Sequence, residues 1–145
     1  MSRKQLFKTL AETIITGMPA IKRVSRYKRQ FEEDTDENTA SFPWIAVQFA
    51  DTGYENQSSC GQKAKAEVIF HISHDEYKYS YMDRLEGNTF LHEDGFDVDD
   101  LSDELWKILS HSGMMLERIG DSDIRQVGKV RTIQSRYRVT YAVCC

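Results

Sequence analysis

The 145-residue chain falls within the usual size of one domain, and its 40% hydrophobic and 29% charged residues are typical of a globular protein. No apolar run approaches the roughly 18–20 residues of a membrane-spanning helix, and no signal-peptide core follows the basic residues near Met1. Three cysteines (Cys60, Cys144 and Cys145), without a Cys-x-x-Cys spacing, do not indicate a disulfide framework or a thiolate metal site. We therefore expect one soluble cytoplasmic domain, 1–145, with reduced thiols.

Charge is distributed unevenly along the chain. Residues 1–29 carry eight Lys or Arg and one acid, residues 30–104 carry four bases and nineteen acids, and residues 105–145 carry seven bases and three acids. Such segregation suggests complementary surfaces, as in a protein that docks against copies of itself. The alternative is that folding interleaves the segments and evens out the potential.

The N-terminal third predicts a helix followed by an edge strand. Leu6, Leu10 and Ile14 form an apolar stripe at helical spacing, which predicts a helix over 3–16 that Gly17 and Pro19 stop. Residues 21–31 alternate basic and β-compatible side chains, which predicts a solvent-facing or edge strand. The acidic run 32–37 is expected to be a loop.

Two strands and a long loop are expected in the middle of the chain. Residues 42–49 predict a strand with Pro43 at its start, 51–61 are rich in turn residues, and 62–73 alternate apolar and polar positions as a half-buried strand does. Residues 74–96 are predicted to be an aromatic-rich loop, and an ordered loop of that length is usually functional or covers a partner.

The C-terminal third predicts a second helix and two further strands. Acids at 97, 99 and 100 suit a helix start, Gly113 suits its end, 114–119 predict a short strand, and 120–123 predict a turn. Residues 130–143 alternate as a strand that would run ~46 Å if unbroken. Because the domain's expected radius of gyration is ~15 Å, that strand must bend, break or project.

The order of these elements predicts an α+β domain. We expect a mostly antiparallel sheet of about five strands with two helices packed on it. No internal repeat or low-complexity tract interrupts the pattern.

Catalytic and metal-binding signals are weak. His71 and His74 lie three residues apart on a strand, so they point to opposite faces and do not converge on a metal. The acidic stretch from Asp97 lacks the glycine of a calcium loop and is better explained as a helix start. Asp51, Glu76 and Lys78 would form a metal-dependent nuclease site only if they converged on Mg²⁺. No catalytic residue and no cofactor is predicted.

Nucleic-acid binding is the main alternative from another class of function. Arg23, Arg26 and Arg29 could contact phosphates while Tyr27 stacks on a base. The acidic pI near 5.6 and the adjacent acid run oppose this interpretation, and favour a surface that pairs with a neighbour's acids.

The layout resembles the small phage tail-terminator and tail-completion proteins, which join head and tail. The resemblance lies in the opening helix ending at Gly17-Met18-Pro19, the strand 21–31, the hydrophobic segment 42–47, the alternating strand 62–73, the acid-capped helix 97–112 and the tyrosine-rich strand 130–143. The loop 74–96 and the terminal cysteines are not part of that layout.

The resemblance implies a structural subunit, not an enzyme, of a phage or prophage particle. Its copies would form a ring, typically a hexamer, that contacts tail-tube and head-completion proteins, meets DNA only in transit and ends in the virion. As hypotheses, acids lining the lumen would be Glu93, Asp94 and Asp97, where negative charge keeps passing DNA from sticking. The expected ring contacts are Arg23, Arg26, Tyr27, Arg29, Glu32, Glu33, Asp34, Tyr77, Tyr79 and Tyr81.

Overall fold

A computed structural model of the protein describes residues 1–29, 42–57, 61–75, 81–85, 87–92, 97–127 and 130–143; for 81–85, 88–92 and 125–127 it describes the backbone. Two helices and seven strands lie in this part of the chain. In chain order they are α1 Arg3–Gly17, β1 Arg23–Arg26, β2 Trp44–Asn56, β3 Gln62–Asp75, β4 Tyr81–Leu85, β5 Asn88–His92, α2 Val98–Ser110, β6 Met115–Val127 and β7 Val130–Val143.

Five of the strands form one sheet in the order β1-β2-β3-β7-β6, and β4 and β5 form a separate two-stranded sheet. All neighbours in the large sheet are antiparallel except β1 and β2, which run parallel. The α+β prediction is therefore confirmed in its broad form. β1 and β6 are the two edge strands of the sheet. The strand after the first helix, β1, was predicted to be solvent-facing or an edge strand.

Both helices begin at a capping box, in which the N-cap side chain and the third helical residue bond each other's backbone. In α1 the Ser2 hydroxyl accepts from the Gln5 amide, and the Gln5 side chain accepts from the Ser2 amide. In α2 the carboxylates of Asp97 and Asp100 make the same exchange. The predicted helix start at Asp97 is thereby confirmed. Neither helix in the described ranges is long and apolar enough to cross a membrane.

The buried side chains of both helices join those of the sheet in one hydrophobic core. α2 contacts β3, β7 and β6, whereas α1 contacts α2 and β1. At the centre, the rings of Phe70 and Tyr137 meet edge to face with their centroids 5.2 Å apart. Each large side chain buried this way contributes roughly 2 kcal/mol. The helix residues in the core are Leu6, Leu10, Ile14, Val98, Leu101, Leu105 and Leu109.

The long C-terminal strand is accommodated by an equally long partner. β7 pairs with β3 without interruption from Val130 opposite Asp75 to Val143 opposite Gln62. β6 begins at Met115, opposite Thr140, so the last three residues of β7 project beyond it. β7 neither breaks nor leaves the sheet, because β3 pairs with it along its whole length.

Two predicted strand boundaries are wrong. β1 ends at Arg26, well short of the predicted residue 31. Three residues further on, Arg29 adopts a left-handed backbone with φ of 64°, which is incompatible with an extended strand there. β2 continues to Asn56 through most of the segment predicted as turns. An irregularity in its pairing between Phe49 and Thr52 lets the turn-favouring residues stay in register with β3.

Two predicted irregular segments contain strands. The loop over 74–96 is wrong in part, because β4 and β5 pair as a hairpin with Gly87 at φ 79° in its connection. The turn over 120–123 is wrong: β6 passes through it while staying paired with β7, with irregularities after Arg118 and after Asp123. Tertiary partners of the polar residues there override their preference for turns.

The close approach of the helices at Gly17 generates a stability prediction. A Cβ on Gly17 would lie 2.8 Å from Cγ2 of Ile108, which is too close for contact. We expect Gly17→Ala to lower the free energy of unfolding by about 1–3 kcal/mol, measured by urea denaturation.

Two further variants make this measurement specific. In an Ile108→Ala background the same glycine substitution should cost at least about 0.5 kcal/mol less, because the clashing atoms are gone. Gly53→Ala is the matched control, since a Cβ there meets no atom within 4 Å. Equal stability of wild type and Gly17→Ala would contradict the proposed clash.

Candidate assembly interface

The two sides of the domain differ in charge. On one side, α1 and β1 supply basic groups that we name the basic edge: Arg3, Lys4, Lys8, Lys22, Arg23 and Arg26. On the other side, α2 and β6 supply an acidic edge: Asp99, Asp100, Asp103, Glu104, Glu117, Asp121 and Asp123. The strand order places β1 and β6 at opposite edges of the sheet. Arg118 of β6 and Arg131 and Arg138 of β7 pair with acids of the acidic edge.

Arginines on the basic edge lie over aromatic rings. The guanidinium carbon of Arg23 lies 4.5 Å from the centre of the Trp44 ring. Arg3 and Arg26 both approach Phe49, at 5.3 and 4.7 Å from its ring centre. These contacts hold the long side chains in defined positions.

Buried polar contacts on the face opposite the helices hold β1 in place. The Tyr27 ring stacks on the His71 ring with centroids 3.7 Å apart, and His71 is hydrogen-bonded through Nε2 to Oε1 of Gln48 at 2.7 Å. The Trp44 indole donates to the Ser25 hydroxyl at 2.8 Å. Tyr27, one of the predicted interface residues, thus uses one ring face within its own chain.

The acidic edge is organised by a partly buried cluster around Asp121. Its carboxylate accepts hydrogen bonds from the hydroxyls of Ser135, at 2.7 Å, and Ser102, at 2.8 Å. Arg118 donates to Asp121 and to Asp103, both at 3.1 Å. Because Ser102 lies on α2, Asp121 on β6 and Ser135 on β7, the cluster fixes the helix against the hairpin.

A second ion-pair group lies nearer the start of α2. Arg131 of β7 contacts Asp99 at 2.9 Å and Asp123 at 2.7 Å. Its partners raise the pKa of Arg131 further above its already high value, although burial opposes this. The bridge joins the first turn of α2 to β6, so the acids of the two elements are held on one side of the domain.

Apolar side chains are also exposed along β6. Met115, Ile119 and Ile124 are 67%, 48% and 46% exposed, and the latter two lie at the pairing irregularities. A shallow groove of ≈ 340 Å³ lies beside Met115, lined by Met114, Met115, Leu116, Glu117, Arg138 and Thr140. An edge strand with open backbone and exposed apolar side chains is a surface suited to association.

The predicted site residues are distributed as follows. Arg23 and Arg26 lie on β1, and Arg29 follows it. Asp97, a predicted lumen residue, serves as the N-cap of α2. Tyr81 begins β4, and its side chain is not among those described. Outside the described residues lie Glu32, Glu33, Asp34, Tyr77, Tyr79, Glu93 and Asp94, as well as Glu76 and Lys78 of the nuclease hypothesis. Asp51 is exposed on β2.

Several serine, histidine and carboxylate side chains, which are residue types common in active sites, make contacts within the fold. Ser102 and Ser135, whose hydroxyls donate to the Asp121 carboxylate, are completely buried. Burial lowers the pKa of His74 below its ordinary value, although the charge of Asp75 opposes it. Within the described part of the chain, no group of three or more His, Cys, Asp or Glu side chains could hold a metal ion.

No protein-family model matches this chain, and no curated protein matches it either.

Sequence reasoning missed the acidic edge as a surface because residues 120–123 were assigned to a turn. The alternation of Asp121 and Asp123, with a bulge on each side, is the only local signal of a strand there. Asp121 is hydrogen-bonded to Ser102, 19 residues before it, and to Ser135, 14 residues after it. Patterns within a short stretch of sequence do not show contacts at such separations.

The Asp121 cluster predicts acid-sensitive stability. Burial opposes ionisation of Asp121, but the hydroxyls of Ser135 and Ser102 and the charge of Arg118 outweigh it, so its pKa lies below the ordinary value. Its stabilisation is therefore present above the unfolded pKa near ~4 and is lost as the pH falls through the lower folded pKa.

We expect Asp121→Asn to lower the free energy of unfolding by about 1–2 kcal/mol at pH 7, a value reduced for partial exposure. The deficit relative to wild type should shrink as urea titrations are repeated from pH 5 to pH 2.5. Asp103→Asn is the matched control, because that carboxylate contacts the same arginine but is 77% exposed. A deficit that stays constant with pH would show that the Asp121 charge is not the stabilising feature.

Proposed function

We propose that the protein is a structural subunit that assembles head to tail with copies of itself. The observation that carries this proposal is that opposite edges of one sheet have opposite charge. Residues 1–29 contain eight bases and one acid, and residues 97–127 contain eight acids and three bases. The first segment forms α1 and β1, and the second forms α2 and β6.

Two different surfaces of this kind favour a heterologous contact. A basic edge repels another basic edge, so a two-fold dimer that brings like edges together is disfavoured. When the basic edge of one copy meets the acidic edge of the next, each copy still has one unsatisfied edge. Such contacts continue until the rotation between neighbours closes a ring.

The biological setting that we propose is the tail of a phage or prophage particle. Its support is the layout of α1, β1, β2, β3, α2 and β7, which resembles that of tail-terminator and tail-completion proteins. In this setting the ring, typically a hexamer, forms in the cytoplasm, joins tail-tube and head-completion proteins, and stays in the virion. The role is structural, and DNA passes through without being a ligand.

Charge reversal on each edge tests the head-to-tail contact. One variant combines Lys22→Glu with Arg23→Glu on the basic edge, and the other combines Asp100→Lys with Glu104→Lys on the acidic edge. Solution mass, by light scattering after size exclusion, should show a multimer for wild type that dissociates as salt screens the charges. Each variant alone should associate about tenfold or more weakly.

Mixing the two variants gives the decisive result. Each retains one working edge, and the two reversed edges are complementary to each other, so the mixture should regain the association that neither variant shows alone. Lys65→Glu with Arg136→Glu is the matched control, because both residues lie on the central strands β3 and β7 and not at an edge. A wild type that remains monomeric at every concentration and salt, or reversals that leave the mass of the multimer unchanged, would refute the proposed contact.

A further inference from the structure

The sheet has two stretches of backbone that border no described strand. One is the outer side of β6, from Met115 to Val127. The other is on β2. β1 pairs only with Trp44–Val47, so the side of residues 48–56 that faces away from β3 borders no described strand. The side chain of Arg3 donates to the carbonyl of Phe49 there at 3.4 Å. That carbonyl is therefore already bonded, whereas the other outward N–H and C=O groups of these stretches border no described strand and can accept an added one.

The polarity of the strands suits these two stretches to each other. β3 is antiparallel to β2, β7 to β3, and β6 to β7, so β6 runs antiparallel to β2. When copies stand side by side in the same orientation, β6 of one copy therefore arrives antiparallel to β2 of the next. This is the arrangement that all neighbours in the large sheet have except β1 and β2.

The two stretches also lie at the same level of the sheet. Met115 pairs with Thr140, Thr140 with Lys65, and Lys65 with Gly53, so Met115 and Gly53 share one row. In the same way, Asp121 shares a row with Val47, where β1 ends.

The pairing irregularity of β6 coincides with that boundary. It lies between Arg118 and Gly120, just before the row of Asp121. Bulges bend a strand, so β6 can turn away where β1 of the next copy begins. The first part of β6 therefore lies level with residues 49–53 in the open part of β2.

The side chains in this row are complementary in size. Met115 is 67% exposed, and Gly53 has no side chain and no atom within 4 Å of the position a Cβ would take. Because residues in one row share a face, Met115 of one copy can cover Gly53 of the next. Removal of this exposed methionine from water favours the contact.

We propose that neighbouring copies join by strand addition, with the Met115–Arg118 part of β6 paired antiparallel to the open part of β2 in the next copy. The large sheet then continues from copy to copy around the assembly. This inference rests on the proposed head-to-tail assembly and names the backbone contact that makes it. Its partner is a second copy of this chain.

Cysteine cross-linking tests the strand contact directly. In a chain with Cys60, Cys144 and Cys145 replaced by Ser, Met115→Cys is combined with Cys at Asp51, Gly53 or Glu55 in turn, so that a shift of two residues is also detected. Within one chain β7 and β3 separate Met115 from Gly53, which places them ~14 Å apart, beyond the reach of a disulfide. Mild oxidation should therefore give a ladder of linked chains for at least one pair. Met115→Cys with Ile15→Cys, on the exposed side of α1, is the matched control and should stay unlinked.

The outcomes separate this inference from the proposed function. A multimer by light scattering with no ladder for any β6–β2 pair overturns strand addition and leaves head-to-tail assembly standing. A ladder as strong in the Ile15 control as in the β2 pairs also overturns it, because random collision then explains the links. A monomer under all conditions refutes both.

Discussion

The uninterrupted pairing of β3 with β7 is the constraint on which the rest of the structure depends. Both strands have 14 residues, and every residue of one faces a residue of the other. Ala66, Val68 and Phe70 turn one face of β3 into the core, whereas Lys65 and Glu67 lie on the other face. A slip by one residue would exchange these two faces, so the register is strongly specified. β2 and β6 then flank the pair, and this arrangement determines which residues occupy the edges.

The polar cluster at Asp121 extends this order from the sheet to the helix above it. A partly buried carboxylate is costly unless its oxygens are hydrogen-bonded, and here two buried hydroxyls and a guanidinium supply the partners of Asp121. Because these groups come from α2, β6 and β7, the cluster holds the acids of helix and strand on one side of the domain. The opposite side keeps its arginines in place through the rings of Trp44 and Phe49.

The two edges of the sheet manage their open backbone differently. β1 is a four-residue strand with an arginine at each end, and short charged strands resist further pairing. β6 has 13 residues and exposes Met115, Ile119 and Ile124, so its length and apolar side chains invite a partner. Its two irregularities limit how much of the strand can pair. The backbone of β6 is thus only partly protected from pairing with another strand. This is consistent with an edge strand that pairs with a second copy over a limited segment.

Local patterns in the sequence determined the elements that show a periodic apolar pattern or a capping signal within a few residues. The helical stripe of Leu6, Leu10 and Ile14, the acids at the start of α2 and the alternation of β3 and β7 predicted those elements and the α+β class. Tertiary structure alone decided the course of 51–56 and 120–127 in β2 and β6, because turn-favouring residues there are held by pairing with distant strands. It also decided that the basic and acidic segments lie on opposite edges. Strand order depends on contacts between residues far apart in the chain, and no short-range pattern encodes them.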